Sequence, residues 1–410
     1  KIGGRGHLWG RVSPRYPENE FSNNNGWPLK YNEIKSFYKE IEKKFILTGN
    51  KKLLKKFNNG NIIKNKKFNK IEDKFIKLVE NKWQNRRATV LPTLNYESGP
   101  LNPMLKEIIK NKNFTIIKNS IVRKIITNEK GVAKGVEIID RYTYKKNIIF
   151  SDVIFLSASP LETVKILLNS KTKKFKKGIG NNMGLLGKKF FDHIGIAYTG
   201  FLKRNKKHKI NNIFDPLNPN KFTNGFYFAP FRKYEQKIKS NLNYSIHGTI
   251  DKIRNILSIY SFADCPTKTR NYLSLSKNKK DKYGIPLLKV NFNWTKNQKT
   301  TWKDQKKVIH ELLSVLSQDL KINIFQSKSN YKIFNNLPNP GFSHHESGGA
   351  IMGNSSKKSV VNKLGQIWDC KNIYICDQSI FPRLNYVNPT LTSMAISLRS
   401  TRLFAKRYNK

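Results

Sequence analysis

Ser343-His344-His345-Glu346-Ser347-Gly348-Gly349-Ala350-Ile351-Met352-Gly353, followed by Asn372-Ile373-Tyr374-Ile375-Cys376-Asp377-Gln378-Ser379, Phe381-Pro382 and Asn388-Pro389-Thr390-Leu391-Thr392, decides how this chain folds. A Gly-Gly pair just after His345 lets an imidazole reach a ligand that lies against bare backbone. The apolar run 373–376 predicts a buried strand with Asp377 at its C-terminal end. In open α/β sheets, ligands bind at that end of the strands. Asn388-Pro389 predicts a helix start with Pro389 in the first turn, and 389–402 reads as helix. An imidazole, a carboxylate and an amide are therefore expected near one sheet edge and one helix N-terminus.

With 410 residues the chain can bury a large core, and its length suggests two or three domains. Cys265, Cys370 and Cys376 are far apart and odd in number. They build no disulfide framework or zinc spacing, and they favour a reducing, cytoplasmic compartment. No apolar run is long enough to span a membrane. The formal charge of +51 invites a nucleic-acid reading. However, lysine, asparagine and isoleucine are enriched along the whole chain, and no helix-turn-helix, zinc-finger or RNA-binding aromatic motif occurs. No specific nucleic-acid partner is expected, only non-specific adhesion to polyanions at low salt.

Outward from the opening stretch, 153–158 predicts a buried strand that breaks into a helix at Ser159-Pro160. Strands are expected at 114–117, 120–125, 133–140 and 146–150, with a helix over 102–110. Gly26-Trp27-Pro28-Leu29 predicts a turn, then an amphipathic helix from Tyr31 to Phe45 capped by Asn32. Residues 51–87 are rich in lysine and asparagine and predict an irregular insertion. Short alternating strands over 196–293 predict an antiparallel sheet, and 296–320 predicts a helix with Trp302, Val308, Ile309, Leu312, Leu313 and Leu316 on its apolar stripe.

The opening stretch resembles the C-terminal signature of the glucose-methanol-choline (GMC) family of FAD-dependent oxidoreductases. That signature reads His-x-x-Gly-(Thr/Gly)-x-x-Met-Gly, a strand ending in Asp-x-Ser before Phe-Pro, and (Asn/His)-Pro-x-x-Thr. Gly3-Gly4-Arg5-Gly6-His7-Leu8-Trp9-Gly10 is similar to the family segment that lies along the FAD diphosphate and flavin. Gly180-Asn181-Asn182-Met183-Gly184-Leu185-Leu186-Gly187 with Asp192-His193 resembles another family turn, in which the histidine is structural.

The resemblance implies an α/β fold: a partial, three-layer, Rossmann-like FAD-binding domain plus an α+β substrate domain with an antiparallel sheet. It divides the chain into FAD-binding parts at 1–26 and 95–195, substrate-domain parts at 27–94 and 196–332, and a C-terminal FAD-binding and active-site part at 333–410. It implies FAD as cofactor and a small alcohol, sugar or polyol as substrate, with the electron acceptor open. His345 falls on the catalytic base and Asn388 on its partner, with His344 beside them as packing. Gly3, Gly4, Trp9, Gly10, Val122, Ala158, Asp377, Ser379, Asn388, Pro389 and Thr390 fall on cofactor-binding positions, and no metal site is implied. Leu8 stands where some relatives carry a histidine that attaches FAD covalently, so covalent flavin is not expected. The family's Gly-x-Gly-x-x-Gly unit for the ADP moiety is not in the sequence, which reads as a fragment or processed chain that by itself holds FAD weakly. Two alternatives stand beside this reading: a GMC-like remnant without activity, and a polyanion-binding protein.

Overall fold

Burial decides the central pairing. Ile154–Leu156 and Ile373–Ile375 form a parallel pair, with Ile154 opposite Ile373 and Leu156 opposite Ile375. Ile373 and Ile375 are fully buried, whereas Phe155 turns outward to stack on Tyr374 and meet Phe404 of the C-terminal helix. A computed structural model describes residues 2–7, 9–54, 60–84, 86–95, 103–203, 225–232, 242–253, 255–265 and 269–408.

The strand Ile154–Leu156 leads through Ser159 into the helix Pro160–Asn169, whose first residue is the proline. Proline is preorganised for the first helical position and has no N–H to lose there. Ser159, however, adopts φ 76 and ψ 153, a conformation that glycine tolerates and serine does not. The C-terminal helix Thr390–Tyr408 begins just after Pro389, whose carbonyl accepts from Ser393 N. It is braced on the helix Lys35–Lys44 by Tyr38 Oη and Thr392 Oγ1, 2.7 Å apart. A three-stranded antiparallel meander, Ser120–Thr127, Ala133–Asp140 and Lys146–Phe150, flanks this half.

The largest sheet has five antiparallel strands in the order Gly195–Gly200, Ile256–Ala263, Tyr244–Asp251, Phe226–Arg232 and Thr89–Val90. Side chains alternate across it. Phe226, Phe228, Ile246 and Ile259 point to one face and pack with Trp302, Val308, Ile309 and Leu312 of the helix Lys296–Ser314. Tyr227 and Ala229 point the other way and join a second core that contains the parallel pair, both ends of the chain's described fold and residues 350–396. Trp27, Leu29, Tyr38 and Ile62 pack into this second core. Phe292 packs against both cores, and the short bridge Phe190–Phe191 pairs with Ser347–Gly348.

Several local expectations are corrected. Asn32 caps no helix: it lies in a 3-10 turn, Tyr31–Glu33, where Glu33 reaches back to Lys30 N, and the α-helix starts only at Lys35. Within 51–87 stands a regular helix, Lys70–Lys82, closed by a capping box between Asn69 and Glu72. The high lysine content hid that signal. Residues 114–117 form no strand, since their backbone finds no ladder partner beside Ser120–Thr127. The expected helix over 102–110 is Pro103–Ile108, and residue 102 lies outside the described part. The helix over 296–320 ends in a wider π turn, Val315–Asp319. The C-terminal helix runs past Arg402 to Tyr408.

Candidate active site

The strand Ile373–Ile375, the turn after Phe342 and the loop before Thr390 bring the predicted pair together. His345 Nε2 faces the Asn388 side-chain nitrogen at 3.5 Å. On the other side of the ring, His345 Nδ1 lies 2.9 Å from His193 Nδ1. His193 Nε2 lies 2.6 Å from the Asn385 carbonyl.

These distances fix the protons. A carbonyl only accepts, so His193 must carry its proton on Nε2 and present a lone pair at Nδ1. His345 therefore donates from Nδ1, which leaves its Nε2 as a bare lone pair next to the Asn388 amide. Burial holds both rings neutral: His193 is pushed down to about 4, and His345 well below its usual value, by burial first and then by His193. His345 is thus an uncharged proton acceptor with a defined accepting nitrogen. Phe262 closes the ring in, with centroids 4.9 Å apart, and stacks on His193 as well. His344 is exposed, with φ 56.

Three buried acidic groups hold the loops that carry the pair. Asp192 accepts from Gly341 N at 2.6 Å and from Ser343 Oγ, which pins the turn leading to His345. Burial raises its carboxyl to about 7. Glu20 accepts from Asn385 Nδ2 at 2.8 Å and from Trp27 Nε1 at 3.2 Å, and pairs with Arg383 at 3.0 Å. Asp264 accepts from Tyr386 N at 2.8 Å. The loop 384–388 is therefore anchored along its length before Pro389 starts the helix. Sequence reasoning missed all of these. His193 stood in a recognised turn but read as structural, and no local signal linked Glu20 to residue 385 or Asp264 to residue 386.

The cofactor-binding residues divide. Trp9, Val122 and Ala158 are half-buried and pack against the same core. Arg5 ties the glycine-rich segment to this place, reaching Glu346 at 2.7 Å, the His344 carbonyl at 3.1 Å and Ser159 Oγ at 3.3 Å. Gly3 sits at φ 91 in that turn, and a Cβ built on Gly4 or Gly10 would meet open space. Pro389 and Thr390 lie at the N-terminus of the C-terminal helix, where free N–H groups gather. Asp377 stands at the end of its strand, where Thr163 Oγ1 donates to it at 2.5 Å and Ser379 N at 2.9 Å. Ser379 is fully buried, and its Oγ has no partner among the described residues. The Gly348-Gly349 pair does not expose backbone to a ligand, as its position had suggested. A Cβ on Gly348 would strike the Lys189 carbonyl, and one on Gly349 would strike Val164, so these glycines serve internal packing.

FAD fits the residues present. Gly4 and Gly10 leave open space beside their backbone, Trp9, Val122 and Ala158 are half-buried against one core, and Asn388 Oδ1, next to His345, is buried with no partner among the described residues. Among the described residues, no cluster of three metal-ligating side chains occurs and no helix is long and apolar enough to cross a membrane.

Two family models described as GMC oxidoreductase match residues 17–194 and 266–397. A 2-methyl-1,2-propanediol dehydrogenase from Mycolicibacterium austroafricanum is 26% identical over 315 residues, 69% of this chain and 53% of its own length. A gluconate 2-dehydrogenase flavoprotein from Pantoea cypripedii is 25% identical over 77% of this chain and 54% of its own. The chain thus spans about half the length of the curated relatives it matches. An FAD-dependent oxidoreductase structure from Chaetomium thermophilum superposes with a TM-score of 0.68 at 12% identity, covering 100% of this chain and 86% of that one. Pyridoxine 4-oxidase from Mesorbium loti superposes with a TM-score of 0.62 at 15% identity, over 97% and 82%. With both family models matched in sequence order and the fold shared, the chain belongs to the GMC oxidoreductase family.

Proposed function

We propose that this protein oxidises the CH–OH group of a small alcohol, sugar or polyol, with His345 as the base. GMC oxidoreductases bind FAD, which supplies the hydride acceptor when bound. His345 Nε2 takes the hydroxyl proton, and the Asn388 amide donates to the same oxygen and orients it. The Asn388 side chain holds its place without titrating. Gly3, Gly4, Trp9, Gly10, Val122, Ala158, Pro389 and Thr390 hold the cofactor, and Ser379 shapes its bed. Asp377 supports that bed by tying the strand end to the helix Pro160–Asn169.

The observation that carries this reading is the half-buried, neutral imidazole whose free nitrogen faces an amide. The names of the relatives, a diol dehydrogenase and a gluconate dehydrogenase flavoprotein, support polyols and sugar derivatives as the donors to try first. The test is anaerobic bleaching of bound flavin by a panel of alcohols, sugars and polyols. Bleaching by one class, abolished in His345→Ala with FAD still bound, supports the reading. FAD that stays oxidised with every member of the panel counts against it.

A further inference from the structure

The inner face of the five-stranded sheet carries an unusual row. Tyr227, His247 and Tyr260 stand side by side in direct cross-strand register. His247 lies between its neighbours, 5.7 Å from the Tyr227 ring and 5.6 Å, stacked, from Tyr260. One step along the same face, Phe262 approaches His247 at 5.4 Å and His345 at 4.9 Å. A single phenyl ring therefore separates the base from a second imidazole.

His247 is 6% exposed, and its Nδ1 is buried with no hydrogen-bond partner among the described residues. Leaving such a group unmet is costly, and a phenylalanine in the same aromatic row would avoid that cost. Asn388 Oδ1, beside His345, is buried and unpartnered in the same way. One unmet polar atom thus lies on a ring packed against Phe262, and another lies beside His345, which packs against the same phenyl. Burial pushes His247 down to about 3, so the ring is neutral and offers one donor and one acceptor, as a hydroxyl does.

We propose that His247 hydrogen-bonds a second hydroxyl of the substrate, several carbons from the reacting one, and so selects polyols and sugars over simple alcohols. The assignment rests on the reading of His345 as the reacting end. An apolar pocket discriminates weakly against a missing hydroxyl, whereas a buried group built to meet that hydroxyl discriminates strongly, because the analogue leaves it unpaired.

The test compares hexane-1,6-diol with hexan-1-ol on FAD-loaded wild type, His247→Phe and His247→Gln. In wild type, kcat/KM should favour the diol by about tenfold or more, the equivalent of one buried hydrogen bond. His247→Phe should lose that preference through KM, with the diol falling far more than the mono-alcohol. His247→Gln, which keeps a donor and an acceptor, should recover part of it. Equal losses on both substrates, or a preference that survives His247→Phe, would overturn the assignment. If no alcohol bleaches the wild-type flavin, the oxidation reading fails, and His247 is judged by binding alone. A thermal shift with sorbitol that is present in wild type and absent in His247→Phe supports the site. The same shift in both proteins, or none in wild type, rules it out.

Discussion

Replacing His193 with phenylalanine isolates the proton arrangement around the base. The new ring can keep the stacking on Phe262, at 5.5 Å and 22°, but offers no lone pair to His345 Nδ1. The Nδ1–H of His345 is then buried without an acceptor. That penalty, about 1–3 kcal/mol, moves the proton toward Nε2 and removes the accepting nitrogen. Converted at about 1.4 kcal/mol per factor of ten, the reactive tautomer falls by roughly 5- to 150-fold. The assay is single-turnover flavin reduction with FAD content measured alongside, plus ¹⁵N NMR of labelled histidines to read which nitrogen is protonated. The reduction rate should drop by that factor at unchanged FAD content. His193→Gln, whose side-chain carbonyl can accept, should recover part of it. A His193→Phe protein that reduces flavin at the wild-type rate, with His345 still protonated on Nδ1, refutes the reasoning.

Other outcomes follow from the same geometry. His345→Ala should lower kcat by about 10² to 10⁴, Asn388→Ala by less and the exposed His344→Ala by least, measured in steady state with flavin occupancy checked. Ser159→Gly should relieve a strained φ of 76, worth about 1–3 kcal/mol, and give back about 0.5–1 kcal/mol through the freer unfolded chain. A raised urea midpoint should result, and a lowered one would count against strain at that turn. The buried imidazoles should make the fold acid-labile. His247 binds its proton near pH 3 when folded and near 6.5 when unfolded, so the unfolded chain gains protons as pH falls below 6.5 and stability drops. His247→Phe should therefore gain on wild type by about 1.1 kcal/mol per pH unit between pH 6.5 and 5, steepening toward about 1.4 at lower pH, read from urea midpoints. A difference that does not change with pH would contradict this.

Much of the site could be read from the sequence because it is local. His345 stands at a fixed spacing before Met352, and Asn388 stands directly before the proline that starts the last helix. The strand 373–375 and its parallel partner 154–156 were legible because both are short apolar runs bounded by turns. What stayed hidden is what distance in sequence conceals. His193 and Asn385 lie 192 positions apart, and Asn385 and Glu20 lie 365 apart, so no window contains either pair. His247 sits in an alternating strand in which nothing separates a ligand-facing residue from a packed one. Lysine-rich composition misled at 70–82, where the apolar stripe of Phe75, Ile76 and Val79 was diluted by charged neighbours but still reached the core.

The bracing of His345 also bears on timing. Asp192 grips residues 341 and 343, and the next residue, His193, supports the base itself. Phe190–Phe191 and Ser347–Gly348 are stitched together alongside. The base and its support are therefore mounted on one frame, so a breathing motion of either segment carries both imidazoles in the same direction. Their separation changes far less than the position of either one. Thermal motion that would detune two independently hung side chains is, in this frame, largely common to both, and the proton arrangement survives it.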